Sequence, residues 1–283
     1  MKHLTDINSL ADQLQAWRDA GESIALVPTM GNLHEGHLRL VDEAKQHAEH
    51  CVVSIFVNPT QFGPGEDFDA YKRTPDEDCS LLEARGADAV FLPTVEMMYP
   101  QGQTITSTIS IPDSLSNILC GAARPGHFDG VATIVAKLFD LVQPDVAVFG
   151  EKDYQQLLVI RHLVAELNLP VSIIGLPTVR EEGGLAMSSR NGYLNESQRT
   201  QARQLYKTLQ HSCEQLQSGE QGIASIEAAA AADLQAAGFV PDYVSIRRAS
   251  DLALPDHADN ELVILAAAKL GSARLIDNVR CKR

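Results

Sequence analysis

The sequence predicts an α/β protein, a Rossmann-like doubly wound parallel sheet followed by a smaller C-terminal α+β domain. Three observations carry this. Short, almost continuous apolar runs alternate with helical periodicity through the first two thirds of the chain. The runs are too uniformly apolar for a sheet with one wet face, so helices must cover both sides. From about Pro177 the order changes to two helices and then three strand-like runs, the pattern of a separate α+β unit.

The elements follow in order. Residues 23–27 read as a buried strand, and helical spacing of Leu38, Leu40, Val41, Ala44 and Ala48 follows Gly36. Residues 51–57 form the next strand. Thr74-Pro75-Asp76-Glu77 combines an N-cap threonine, a proline at the first helical position and a capping-box glutamate. That helix stops at Gly86, and residues 89–92 give a third strand. Residues 105–111, rich in Thr, Ser and Ile, read as an extended excursion. A helix from about Asp129 turns Val131, Ile134, Val135, Leu138 and Val142 inward. Residues 145–149 are a strand, 154–167 a helix and 171–174 a fifth strand. Asn195 with Gln198 caps a long polar helix ending near Gly219, and the alanine run at 227–233 belongs to a helix ending near Gly238. Strand-like runs at 243–247, 262–267 and 273–278 close the chain. The boundary falls near 176–186, giving a Rossmann-like domain over 1–182 and a smaller α+β domain over 183–283.

The chain has 283 residues, with 23 Lys+Arg against 37 Asp+Glu, a formal charge of −14. Hydrophobic residues make up 45% and charged residues 21%, which excludes dominant disorder. The acidic surplus argues against a nucleic-acid partner, whose phosphates need basic patches. An anionic ligand would need positive charge gathered locally. Five widely spaced cysteines lack metal-site spacing and read as reduced thiols of a cytoplasmic protein. The start of the chain lacks a signal-peptide core, and no run approaches 18 apolar residues, so no membrane partner is expected.

In such a sheet, ligands sit beyond the carboxyl ends of the strands. Pro28-Thr29-Met30-Gly31-Asn32-Leu33-His34-Glu35-Gly36-His37 lies there, between the first strand and its helix. Histidines three apart at a helix start share a side, and a helix N-terminus offers N–H groups to an anion. The zinc-protease pattern needs spacing of four and does not fit. Val57-Asn58-Pro59-Thr60-Gln61-Phe62-Gly63 follows strand two. Asn58 and Gln61 suit a small polar substrate, and an ordinary turn explains the run equally well. In Phe149-Gly150-Glu151-Lys152-Asp153-Tyr154-Gln155-Gln156, Lys152 offers a point charge and Gln156 faces the same cleft. Asp153 is either a ribose acceptor or only an N-cap. Met187-Ser188-Ser189-Arg190 places hydroxyls beside a guanidinium, which suits a phosphate clamp or a plain loop. Arg124, in Arg124-Pro125-Gly126-His127-Phe128, adds a cation, and Tyr71-Lys72-Arg73 reads as a loop segment. Asp76, Glu77 and Asp78 suit either a magnesium ion or helix-start electrostatics. No phosphate loop, G-x-G-x-x-G or nucleophile elbow is present.

Taken together, the runs PTMGNLHEGH, FVNPTQF, RPGHFDGV, FGEKDYQQ and LAMSSRNGYL closely resemble the pantoate–β-alanine ligase (pantothenate synthetase) family, across the whole chain. That family lies within the nucleotidylyltransferase group, whose His-x-Gly-His and Lys-Met-Ser-Lys-Ser-type signatures look like residues 34–37 and 187–190 here. The resemblance implies ATP-dependent joining of (R)-pantoate to β-alanine through pantoyl adenylate, releasing AMP and diphosphate, with Mg2+ and a homodimer. It assigns nucleotide and pantoate binding to 1–182 and the part of a lid to 183–283. It implies that His34, His37, Lys152, Ser188, Ser189 and Arg190 stabilise charge on the triphosphate. Nucleotide contacts would come from Met30, Gly31, Asn32, Leu33, Glu35, Gly36, Gly150, Glu151, Asp153, Val179 and Met187. Gln61 and Gln156, with Asn58 and Arg124, would bind pantoate, Gln61 also meeting β-alanine, and Met30 and Val142-like neighbours would shield its dimethyl carbon. The metal ligands are not specified. A transferase that stops at nucleotide transfer, or a non-catalytic nucleotide sensor, are the rival readings.

Overall fold

The computed structural model describes residues 1–103, 106–219 and 222–283. The apolar runs become β1 (Lys2–Leu4), β2 (Ile24–Thr29), β3 (His50–Ile55), β4 (Ala89–Phe91), β5 (Val146–Gly150) and β6 (Ser172–Leu176). They form one parallel sheet ordered β1-β4-β3-β2-β5-β6. Its helices are α1 (Ile7–Asp19), α2 (Glu35–His47), α3 (Pro75–Arg85), the short α4 (Val95–Met98), α5 (Asp113–Ser116) and α6 (Leu119–Ala123), then α7 (His127–Val142) and α8 (Tyr154–Glu166). Side chains alternate along each strand. Ala25, Val27, Val53 and Val90 therefore pack with α2 and α3 on one face. Leu26, Val52 and Phe91 pack with α1, α7 and α8 on the other. Because β2 feeds a helix on one face and its neighbour β5 feeds one on the opposite face, the switch point lies between them.

The C-terminal part holds α9 (Glu196–Ser218), α10 (Ile223–Ala236) and an antiparallel sheet of β7 (Val240–Arg248), β8 (Glu261–Leu270) and β9 (Ala273–Lys282), with β8 central. Leu205, Leu209, Ile226, Leu234, Ile264 and Leu275 form its own core. A smaller cluster joins α8 to this sheet, Tyr154 and Leu158 meeting Leu252, Val263 and Leu265. The expected start of α9 is made: Asn195 Oδ1 accepts from Gln198 N at 2.9 Å and Gln198 Oε1 from Asn195 N at 3.1 Å. Such a cap contributes about 1 kcal/mol. Gly219, at φ 70°, ends the helix.

Several expectations are corrected. The sheet has a sixth strand, β1, three residues long and paired only with β4. Thr74 makes no capping bond; its hydroxyl donates instead to Asp78 Oδ1 at 3.2 Å. Asp153 caps nothing with its side chain. Of the excursion at 105–111, Ile105 lies outside the described residues; the rest runs along α7 without forming a strand, Ile109 and Ile111 donating to Thr133 and Asp129. The cysteines are not all reduced. Cys213 on α9 and Cys281 on β9 form a disulfide with Cα atoms 5.7 Å apart, while Cys51, Cys79 and Cys120 are free. A separation of 68 residues hides that pair from any spacing rule.

Candidate active site

A cleft of about 210 Å³ opens at the switch point. Much of its lining is the first stretch of chain after a parallel strand: Met30 after β2, Asn58 and Gln61 after β3, Lys152 after β5 and Val179 after β6. Ser188, Ser189 and Arg190 close it from the segment leading to α9.

The two histidines lie side by side, ring centroids 4.0 Å apart. His37 Nδ1 accepts from the His34 backbone N–H at 3.4 Å, which leaves its proton on Nε2. His34 Nδ1 is buried with no hydrogen-bond partner in the protein. A Cβ at Gly36 would lie 2.9 Å from the His34 ring and 3.4 Å from Met187 Cβ, so any larger residue there would push the ring aside. Burial, reinforced by Lys152, lowers His34 to about 4. Burial, then His34 and Lys152, holds His37 well below the usual histidine range. Both rings are therefore neutral N–H donors at neutral pH.

The turn before them is held from behind. Asp78, 1% exposed, accepts from Asn32 N at 2.9 Å and Leu33 N at 2.8 Å. Gly31, at φ 78°, brings the chain so close that a Cβ would meet Asp78 Oδ2 at 2.9 Å. Sequence reasoning weighed Asp78 only as helix-start charge or a magnesium ligand, and here it is the anchor of the histidine loop.

Gln61 sits on a buried platform. Asn58, 1% exposed, donates to Gln61 Oε1 and to the Gly130 carbonyl, both at 3.2 Å, and accepts from Tyr99 OH at 2.6 Å. Gly130 packs so tightly that a Cβ would reach the Thr60 carbonyl at 2.4 Å. His127 Nδ1–H donates to the Gln61 carbonyl at 2.7 Å. Burial, with Arg124 beside it, lowers His127 to about 4. Unfolded histidines protonate near 6.5, so between there and about pH 4 the unfolded chain binds more protons. Stability is therefore lost as pH falls through that window, by about 1.4 kcal/mol per unit for each such histidine. Urea midpoints from pH 7 to 5 check this. His127→Asn, which keeps a donor for Gln61, should flatten the profile, and an unchanged slope would contradict a neutral His127.

Lys152 Nζ lies 3.7 Å from Asp153 Oδ2. Arg190 forms a fork with Asp67, Nε–Oδ2 3.1 Å and Nη2–Oδ1 3.0 Å. Tyr71 OH and Ser189 Oγ are 3.2 Å apart, and Met187 N donates to the Val179 carbonyl at 2.9 Å, which ties those two stretches together. A second cavity of about 470 Å³ continues under the C-terminal sheet and shares Lys152, Asp153, Gln156, Ser188 and Arg190 with the cleft.

Not every expected residue reaches the cleft. Its lining includes Met30, His34, Gly36, His37, Asn58, Gln61, Gly150, Lys152, Asp153, Gln156, Val179, Met187, Ser188, Ser189 and Arg190. Gly31, Asn32 and Leu33 lie behind it, the last two with their N–H groups on Asp78. Glu35 turns outward to Arg85 and Arg39. Glu151 faces Arg280 at 3.7 Å. Arg124 lines the second cavity and binds Glu66 and the Gln61 carbonyl. Val142 is fully buried at the end of α7; the apolar wall comes instead from Val131, Ile134, Val135 and Leu138.

The sheet and its switch-point cleft define a doubly wound α/β enzyme. The family described as Pantoate-beta-alanine ligase matches residues 2–280. Pantothenate synthetase of Shewanella loihica is 54% identical over 278 residues, 98% of each chain. That of Methylococcus capsulatus is 55% identical over 279 residues, 99% of this chain and 97% of the relative. The crystal structure of pantothenate synthetase from Thermus thermophilus matches with a TM-score of 0.92 at 43% identity, covering 99% of both chains. Pantoate-beta-alanine ligase from Francisella tularensis, complexed with beta-gamma ATP and beta-alanine, matches at 0.83 and 32% identity, covering 99% and 97%. The chain belongs to the pantoate–β-alanine ligase family.

Proposed function

We propose that the cleft joins (R)-pantoate to β-alanine at the expense of ATP, through pantoyl adenylate, yielding pantothenate, AMP and diphosphate for coenzyme A biosynthesis. The observation that carries the reading is the meeting of two donor sets in one cleft: His34, His37, Lys152 and residues 188–190 on one side, Gln61 and Gln156 on the other. The ATP and β-alanine in the Francisella relative support it.

A pantoate carboxylate oxygen attacks the α-phosphorus in line, and the bond to the diphosphate oxygen breaks. The nucleophile carries no proton, so no general base is needed. Neutral His34 and His37, the Lys152 ammonium, the Ser188 and Ser189 hydroxyls and Arg190 stabilise charge moving onto the diphosphate by fixed donors and charges. Arg190 must give up part of its Asp67 fork to do so. Backbone near Met30, Gly150 and Val179, with Asp153, holds the adenosine, while Gln61 and Gln156 hold pantoate over the apolar wall. The β-alanine amine then attacks the carbonyl carbon, loses a proton and expels AMP.

Magnesium would come with ATP and would neutralise phosphate charge beside Lys152 and Arg190; among the described residues no group of three His, Cys, Asp or Glu side chains is placed to hold a metal. We place the domain boundary at 182/183 and assign the smaller part the role of a lid that excludes water from the reactive anhydride. A homodimer is what the family resemblance implies, and the cytoplasmic location we propose rests on the cysteines that stay free, Cys51, Cys79 and Cys120. Among the described residues, no helix is long and apolar enough to cross a membrane.

Product analysis with ATP, pantoate and β-alanine omitted in turn tests the reading. Pantothenate should need all three. AMP transfer without any use of β-alanine would favour the transferase, and binding of ATP without turnover the sensor.

A further inference from the structure

The Lys152 turn is held by the C-terminal sheet. Asn278 on β9, 6% exposed, donates both hydrogens of its side-chain amide, to the Glu151 carbonyl at 2.8 Å and the Lys152 carbonyl at 3.0 Å. Asn278 is itself fixed. Its backbone N–H donates to Asp277 Oδ1 at 2.7 Å, and its carbonyl accepts from Arg180 Nη2 at 3.2 Å. Arg180 grips the Asp277 carboxylate with both terminal nitrogens, at 2.7 and 2.9 Å, and its guanidinium carbon lies 3.6 Å from the centre of the Tyr206 ring on α9. Arg180 also adjoins Val179, whose carbonyl accepts from Met187 N. One buried network therefore links the Lys152 turn to the two chain segments that carry Val179 and residues 187–190.

We propose that Asn278 is a positioning residue for Lys152, fixing the peptide from which that side chain reaches the triphosphate. The C-terminal sheet is then part of the catalytic apparatus as well as a cover. An amide with two hydrogens aimed at two successive carbonyls sets both the distance and the rotation of the turn, which a single contact could not. An error of about 1 Å at a charged group is enough to cost on the order of 100-fold in rate. The inference rests on the ligase reading for what Lys152 does.

Exchange of labelled diphosphate into ATP, dependent on pantoate, gives the readout, with thermal stability measured in parallel. Asn278→Ala, which leaves room for water, and Asn278→Leu, which fills the space without a donor, should each lower the exchange kcat by roughly 10- to 100-fold. The exchange kcat should fall further than the KM for pantoate rises, because Gln156 follows the same turn on α8 while Gln61 lies on a different element. In a Lys152→Ala background the same changes should have little further effect, since residues acting through one group are non-additive. Near-normal kcat in the Asn278 variants, or losses that multiply with Lys152→Ala, would overturn the proposal. So would failure of both Asn278 variants to fold while Lys152→Ala folds, since Asn278 would then be a residue of the fold alone. No exchange in the unaltered protein would instead overturn the ligase reading.

Discussion

Lys152→Ala is expected to lower turnover by about 2–4 kcal/mol of transition-state stabilisation, on the order of 30- to 1,000-fold, with the fold intact. Its side chain is partly exposed beside Asp153 and adds little to any core. In the proposed reaction the ammonium matters because charge would build on the diphosphate in a cleft where both histidines are neutral. Lys152 helps keep them so, and its loss should also let the His34 and His37 values rise, burial remaining the larger cause. Steady-state kcat with urea unfolding checks this, and near-normal kcat would remove Lys152 from the mechanism.

Asp78→Ala is expected to damage both stability and activity. It removes the acceptor of two backbone N–H groups, those of Asn32 and Leu33. A buried donor left unsatisfied costs about 1–3 kcal/mol, so a loss of roughly 2–6 kcal/mol follows for the two. The freed turn carries Met30 and leads straight into His34, so kcat should fall in whatever folds. Asp78→Asn keeps an acceptor and should lie between. Unfolding free energies within about 0.5 kcal/mol of the parent would show that the turn holds itself.

How far the sequence could be read depended on where the information lay. The inner strands were legible because burial on both faces demands continuous apolar runs such as Cys51-Val52-Val53. β1 was not, since three edge residues paired with one neighbour leave no such run. The α9 cap was legible because Asn195 and Gln198 satisfy each other locally. Thr74 looked the same in sequence, but its hydroxyl went to Asp78. The cleft motifs stood out through their place after strands, and the structure gathers most of them there. Their supports did not stand out. Asp78, Asn278 and Asp67 are ordinary polar residues until the fold shows what each one faces, and the bonds by which Arg124 and Asn58 hold Gln61 were equally hidden in the sequence.

The central claim is that AMP carries the acyl group, and oxygen transfer tests it most directly. Pantoate labelled with oxygen-18 in its carboxylate is turned over with ATP, magnesium and β-alanine, and the products are analysed by mass. The carboxylate oxygen that attacks phosphorus becomes the bridge, and the amine attacks carbon, so AMP should carry one labelled oxygen and diphosphate none. Label in inorganic phosphate with release of ADP, or unlabelled AMP, would contradict the adenylate even if pantothenate were made.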